Sequence, residues 1–564
     1  METAFFPMKI TFETVSRRTV GVWAVASLLV ALALSPLRAD STKAETAIWW
    51  KDAVFYEIFV RSFSDASSGA LSGDGIGDLQ GLIEHLDYLN DGNPATTTDL
   101  GVNALWLMPI HPSPSYHGYD ITDYFDVNPQ YGDLALMRRL VAEAHKRGIR
   151  IVIDLVLNHA SSLHPLFVRA QKDPTDKVAR NLFRFARLPV ELEGPWGQRA
   201  WHPSGREFYY GVFSAEMPDW NFRASAVTAH HRRVADFWLK DIGIDGFRLD
   251  AVRYFFERDD ELQDCEETKI WLHDFNQYCH SVKPDCFLVG ECYAETKIIA
   301  SYAKADALDS FFEFGLSRAI FEALRFEQPG ILSQELARLH DAYRGQQDWS
   351  SFLANHDQDR TITQLEGDVS LAWLAAQLEF VLPGTPFVYY GEEIGMKGGK
   401  PDPEIRTPMQ WTGAAPTAGF SHGSTPAWHA VNPDFPTINV ERESADPTSL
   451  LSLYKRLVRL RAMTPALRHG IEIPVTVSSD RVFASLRRAG SDWVLVLANL
   501  GAQPVENLTV EASASPMEAG QLLQEELQSA AVRQPQVGPQ GRLINWLPLD
   551  ELAPRSVYVL HVKR

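Results

Sequence analysis

From residue 53 onward the chain alternates two hydrophobic patterns. Short apolar runs rich in β-branched and aromatic residues alternate with segments in which apolar positions recur every three or four residues. The runs are "AVFYEIFV" (53–60), "ALWLMPI" (104–110), "RIVIDLVLNH" (150–159), "GFRLDA" (246–251), "FLVGEC" (287–292), "SFFEFG" (310–315), "SFLANHD" (351–357) and "PFVYYGEE" (386–393). The periodic segments include "LQGLIEHLDYL" (79–89), "LALMRRLVAEAHKRG" (134–148), "AVTAHHRRVADFWLKD" (226–241) and "SLAWLAAQLEFVLPG" (370–384). The runs predict buried strands and the helical period predicts the covering helices. Near-continuous apolar strands covered by helices form parallel sheets, and eight of them favour a closed (β/α)8 barrel over an open doubly wound sheet.

Two stretches break the rhythm. The long segment after His159 lacks the barrel period and predicts a subdomain inserted after strand 3. It ends in an aromatic run, Trp201 to Phe222, which suits either the core of that insertion or stacking on a ligand. After the helix "SLLSLYKRLVRLRAMTPALRHG" (449–470) the period becomes two, as in "RVFASLRRAGSDWVLVLANL" (481–500) and "RSVYVLHVKR" (555–564). That predicts a separate antiparallel β domain. The expected layout is a barrel over 46–159 and 219–467, an insertion over 160–218 and a C-terminal β-sandwich over 468–564.

Composition adds three constraints. The chain has 564 residues, 45% of them apolar, enough for a large core and more than one domain. Acidic residues outnumber basic ones 72 to 53, for a net charge of -19. That sign repels phosphates, which argues against nucleic acid and for a neutral ligand. Arg17 and Arg18 precede an uncharged apolar run, Thr19 to Leu37, followed by a small residue at Ala39. Residues 1–39 therefore read as an export signal, or as an N-terminal anchor if the segment is retained. Export places the protein in the periplasm or outside the cell, with membrane contact only through that segment. The four cysteines, Cys265, Cys279, Cys286 and Cys292, form no C-x-x-C pair. Only Cys279 and Cys286 are placed to bridge; otherwise all four are buried thiols.

Charge enters the strands at their ends. Asp250 closes the fourth strand, Glu291 the fifth, Asp357 the seventh, and Asn158 with His159 the third. In a barrel these ends meet at one mouth, where catalytic groups sit. Arg248 and Asp250 lie two apart on a strand and share its inward face. The expectation is that Arg248 lowers the Asp250 pKa and keeps it ionised, whereas Glu291, with no cation beside it in sequence, stays protonated. One ionised and one protonated carboxyl is the arrangement for cleaving a glycosidic bond. Acidic clusters also serve divalent-metal catalysis, which the residues alone leave open.

Seven ordered segments resemble the α-amylase family, glycoside hydrolase family 13: "GYDITDY" (118–124), "DLVLNH" (154–159), "MPDWN" (217–221), "GFRLDA", "VGE" (289–291), "NHD" (355–357) and "GTPFVYYGEE" (384–393). The resemblance implies Asp250 as nucleophile, Glu291 as general acid/base and Asp357 as transition-state stabiliser. It implies that Tyr119, Asp120, His159, Arg248 and His356 line the sugar subsite at the cleavage point. The substrate is then a starch-like α-glucan or maltooligosaccharide. Segments such as "YLNDGNPATTTDLGVNALWLMPI" (88–110) look like bacterial α-amylases intermediate between the oligo-1,6-glucosidase and neopullulanase groups. "RTPMQW" (406–411) is similar to α-glucosidases and trehalose synthases. A small residue after the nucleophile, here Ala251, goes with α-1,4 linkages in that family. "SGDGIGD" (72–78) resembles its calcium loop, with Asp74, the Ile76 carbonyl and Asp78 as ligands. Upstream ligands are displaced, and Asp65 substitutes only if the loop folds back. Arg253 and Tyr254 stand where the family usually has Lys and His, which weakens a second calcium site and one substrate contact. Three functions follow: a retaining α-1,4-glucan hydrolase, an α-glucosidase or maltose-acting transglucosylase, and a non-catalytic membrane-anchored relative, which the complete acidic set disfavours.

Overall fold

A computed structural model describes residues 48–562, apart from 259–260 and 345–347. The expected export signal at 1–39 lies outside these residues. Among the described residues no helix is long and apolar enough to cross a membrane.

All eight expected strands form: β1 Phe55–Ile58, β2 Ala104–Leu107, β3 Arg150–Leu155, β4 Gly246–Leu249, β5 Phe287–Gly290, β6 Ser310–Phe312, β7 Trp349–Phe352 and β8 Thr385–Tyr389. They are parallel neighbours in chain order and close into a barrel through β1 and β8. Its interior is packed by alternate residues, including Phe55, Trp106, Val152, Phe287, Val289, Phe312, Phe352 and Phe387. The same alternation turns Asp154 and Arg248 inward, and the register pairs them across β3 and β4. Gly246 is required for this closeness, because a Cβ there would lie 1.9 Å from the Phe287 carbonyl oxygen.

The bottom of the barrel is fastened by Asp245, which is fully buried. It accepts hydrogen bonds from Ile151 N at 2.8 Å, His145 Nε2 at 2.6 Å, Arg150 Nη1 at 2.9 Å and Lys283 Nζ at 2.8 Å.

The insertion after β3 carries a three-stranded antiparallel sheet, Phe185–Ala186, Glu207–Tyr210 and Trp201–Ser204. Most of its aromatic run is core: Trp201, Tyr209, Tyr210, Trp220 and Phe222 are buried. The C-terminal segment forms antiparallel sheets, the largest of five strands. These sheets are distinct from the barrel sheet and pack against one of its helices. Val494, Val496, Val557 and Val559 share one apolar cluster with Ala372, Leu374 and Leu378 of the helix Val369–Val381. Arg461 and Arg487 cap that helix, donating to the carbonyls of Phe380 (2.8 Å) and Val381 (2.5 Å), which its C-terminus leaves without intrahelical partners. The four cysteines are free and buried, so Cys279 and Cys286 stay unbridged. Cys265 precedes the helix Glu266–Val282, which carries Cys279.

Candidate active site

Asp250 and Glu291 follow β4 and β5 directly, and the backbone holds them there. Asp250 N donates to the Leu155 carbonyl at 3.3 Å, and Glu291 N to the Leu249 carbonyl at 2.9 Å. Asp357 and His159 lie further out than expected, in loops beyond β7 and β3, which end at Phe352 and Leu155. Asp357 is placed by its own loop, with its N–H donating to Asn355 Oδ1 at 2.9 Å.

Arg248 organises the acids. Its Nη1 reaches Asp250 Oδ1 at 2.7 Å and Asp154 Oδ1 and Oδ2 at 2.9 and 3.0 Å. Its Nη2 meets Glu291 Oε2 at 2.8 Å. The guanidinium is 1% exposed and lies over the Trp106 ring, 5.1 Å from its centroid. One planar fork thus holds Asp250 and Glu291 side by side. Glu291, with no cation beside it in sequence, gains one through the fold. The Asp250 expectation is corrected. Burial raises its pKa above the usual carboxylate value, and Arg248, shared among three carboxylates, only opposes that rise. Glu291 is also raised, first by burial and then, against the pull of Arg248, by the charges of Asp250 and Asp357.

Opposite them, burial works against charge on His356, yet Asp357 and Glu57 outweigh it and raise its pKa to about 10. The imidazolium donates from Nδ1 to Glu57 Oε1 at 2.5 Å and from Nε2 toward Tyr119 Oη at 2.6 Å and Asp357 Oδ2 at 3.2 Å. Tyr119 Oη in turn donates to Asp154 Oδ2 at 3.1 Å. Burial raises Asp357, but His356 and Arg406 hold its carboxyl well below the usual range. Arg406 Nη2 contacts Asp357 Oδ1 at 2.8 Å and Asp402 Oδ2 at 3.0 Å. His159 is neutral, its pKa lowered by burial to about 4, and its Nε2 donates to the Tyr119 carbonyl at 3.1 Å.

A cleft of about 630 Å³ opens over these groups. Tyr119, His159, Asp250, Glu291 and Asp357 line it. Arg248 and His356 lie behind the lining, and so does Asp120, which is 5% exposed and holds the hydroxyls of Ser113 (2.6 Å) and Ser115. Glu57, Asp154, Arg406 and Trp196 were not singled out from the sequence. Glu57 and Asp154 carried a signal, each a lone charge inside an apolar strand. Ala251 adopts a left-handed conformation, φ 47° and ψ 43°, which aims its N–H at Glu291 Oε2, 3.1 Å away. A β-branched residue would be an outlier there. Arg253 is tied to Asp264 Oδ1 (2.9 Å) and the Tyr293 carbonyl (2.6 Å), so it braces the cleft wall.

The family model "Alpha amylase, catalytic domain" matches residues 57–470. The chain belongs to the α-amylase family. It is 36% identical over 457 residues to "Alpha-amylase 3" of Dictyoglomus thermophilum, covering 80% of this chain and 85% of that one. It is 33% identical over 522 residues to a trehalose synthase/amylase of Mycobacterium tuberculosis, covering 81% and 83%. The crystal structure of an α-amylase from H. orenii superposes with a TM-score of 0.78 at 34% identity, covering 91% of this chain and all of that one. This α-amylase family member is therefore a glycoside hydrolase with an oligosaccharide-type substrate.

In its candidate calcium loop, Asp65 does fold back. It accepts the Gly73 and Gly75 amides at 2.8 and 2.9 Å. Asp78 caps a helix, accepting Gly81 N at 2.8 Å and Ala66 N at 3.0 Å, and Asp74 accepts Ile76 N at 2.8 Å. Burial pushes Asp78 up to about 6, with the Asp65 charge adding to the rise. The oxygen donors suit calcium in kind. In this arrangement backbone amides donate to all three carboxylates, and among the described residues no three His, Cys, Asp or Glu side chains are grouped to hold a metal.

Proposed function

We propose that the protein is an exported, retaining hydrolase that cleaves α-1,4 bonds in starch-like glucans or maltooligosaccharides. The observation that carries this reading is the shared Arg248 fork, which sets Asp250 and Glu291 side by side beneath an open cleft. Glu291 Oε2 already accepts Arg248 Nη2 and the Ala251 N–H, so the acid proton belongs on Oε1. Asp250 Oδ1 is likewise engaged by Arg248, which leaves Oδ2 as the attacking oxygen.

Asp250 attacks the anomeric carbon while Glu291 protonates the departing glycosidic oxygen. This gives a glucosyl ester on Asp250 and a Glu291 carboxylate. Glu291 then takes a proton from water, which attacks the same carbon, releases Asp250 and restores the α-anomer. The ionised Asp357 stabilises the positive charge that develops on the ring. The size of the cleft and the likeness to α-amylases support oligosaccharides as substrates. Calcium at the Ser72–Asp78 loop is a further proposal, resting on donor chemistry alone, and no catalytic step depends on it.

The test is a product profile on soluble starch, maltose and isomaltose. An early spread of α-1,4 oligosaccharides from starch is expected. Glucose alone would point to an α-glucosidase, and trehalose from maltose to a transglucosylase; either result overturns the amylase assignment.

A further inference from the structure

An acid stands inside the barrel and takes no part in the steps above. Glu57 is the third residue of β1 and is 1% exposed. It shares the inward face of that strand with Phe55, pairs with Trp106 on β2 and Tyr389 on β8, and does not line the cleft. Burying a carboxylate there is costly unless a partner offsets it. The partner is His356, whose Nδ1 lies 2.5 Å from Glu57 Oε1.

The His356 ring cannot turn away. It is fully buried, edge-on to Trp106 at 5.5 Å and stacked on Tyr119 at 5.6 Å. Its Nδ1 therefore points back to Glu57 and its Nε2 forward to Asp357 Oδ2 at 3.2 Å. Each nitrogen faces an acid, and both contacts are favourable only when both nitrogens carry protons. The other charges around the ring divide. Asp154 on β3 and Asp250 after β4 favour the imidazolium. Arg406, whose Nε donates to the His356 carbonyl at 2.8 Å, and Arg248, 5.9 Å from the Tyr119 ring centroid, oppose it. The Asp357 side chain is 45% exposed and screened by water, whereas Glu57 acts through the dry barrel interior. Burial works against charge on His356, yet Asp357 and Glu57 raise its pKa to about 10.

We propose that Glu57 is a positioning residue for the reaction: it keeps a proton on each nitrogen of His356, and His356 in turn holds the Asp357 carboxylate charged and in place beside the sugar. The proposal rests on the hydrolase reading above. Without the Glu57 carboxylate, His356 gives up one proton more readily. If Nε2 loses it, a lone pair faces Asp357 Oδ2. If Nδ1 loses it, the positive charge that lowers the Asp357 pKa is gone. Either change weakens an interaction needed while charge develops on the ring, so the loss falls on kcat and not on KM.

The experiment compares wild type, Glu57→Gln and Glu57→Asp in the turnover of α-glucosyl fluoride as pH rises. Fluoride leaves with little need of a proton, so protonation of Glu291 does not set the alkaline limb. Removing an adjacent charge moves a pKa by about 1–3 units. In Glu57→Gln, kcat at about pH 9 should therefore fall about tenfold below its value at about pH 6.5, with KM nearly constant, while wild type changes less than about twofold. Glu57→Asp keeps the charge, so it should lose rate evenly across pH without moving the limb. A second readout is the downfield proton NMR signals of the two imidazolium N–H groups, expected in wild type at about pH 8 and incomplete in Glu57→Gln. A wild-type profile in Glu57→Gln, the same pH-independent loss in both variants, or a wild type without the paired N–H signals overturns the role of Glu57 alone. A wild type that turns over neither α-glucosyl fluoride nor maltooligosaccharides overturns the hydrolase reading and this role with it.

Discussion

At the residue scale, Arg248 connects strand geometry to chemistry. Its pairing with Asp250 was legible because residues two apart share a face of a strand. Its reach to Glu291 and Asp154 was not, because it depends on the register between β3, β4 and β5. For the same reason the pKa expectation for Asp250 had the wrong sign: a sequence shows the cation but not how many acids share it. Lysine keeps the charge and loses the fork. Arg248→Lys should therefore let Asp250 or Glu291 drift, lowering kcat/KM on maltooligosaccharides by about 100-fold, the order of loss for a misplacement near 1 Å. Steady-state kinetics would show it. A variant with unchanged kcat/KM would mean that the shared guanidinium does not position the acids.

At the element scale, the eight strands were readable from apolar runs and end within a few residues of the expected positions. The loops were not readable to that degree. Asp357 and His159 were placed on strand ends, although each stands on a loop shaped by its own hydrogen bonds. The cleft loop around Trp196 carries no periodic signal, only Gly194, Pro195 and Gly197 marking a turn. The Asp65–Asp78 loop folds back so that Asp65 meets the Gly73 and Gly75 amides, a closure that spacing along the sequence does not reveal. If calcium binds there, added calcium should raise Tm by a few degrees and a chelator should reverse the rise, as expected for a ligand that binds only the folded state. An unchanged Tm in millimolar calcium would remove the calcium proposal and leave the amide-closed loop as the resting form.

At the scale of the whole molecule, the barrel, the insertion and the C-terminal sheets depend on buried polar groups that no local pattern reveals. Arg461 and Arg487 join the C-terminal sheets to a barrel helix. Where the insertion meets the barrel, His111, His164, His230 and His231 surround Tyr124 and Trp220, with Tyr124 5.6 Å from His230 and 6.0 Å from His111. Burial lowers the His111 pKa to about 3 and those of His164 and His230 to about 4. Folding keeps these rings neutral, whereas the unfolded chain protonates them below about 6.5. Their contribution is therefore complete above that pH and is lost as pH falls toward 4. Buried acids such as Asp219, raised by burial to about 8, act in the opposite direction, so the difference between variants isolates the histidine effect. His111→Met should reduce the slope of stability against pH between 6.5 and 4 by up to about 1.4 kcal/mol per pH unit, measured by urea unfolding. An unchanged slope would contradict a neutral, buried His111. The whole account turns on Asp250 as the residue that bonds to sugar, and peptide mass mapping after reaction with 5-fluoro-α-glucosyl fluoride tests that most directly. The account predicts a single fluoroglucosyl adduct on the peptide containing Asp250. An adduct on any other residue, or turnover that releases the β-anomer with no adduct, would contradict it.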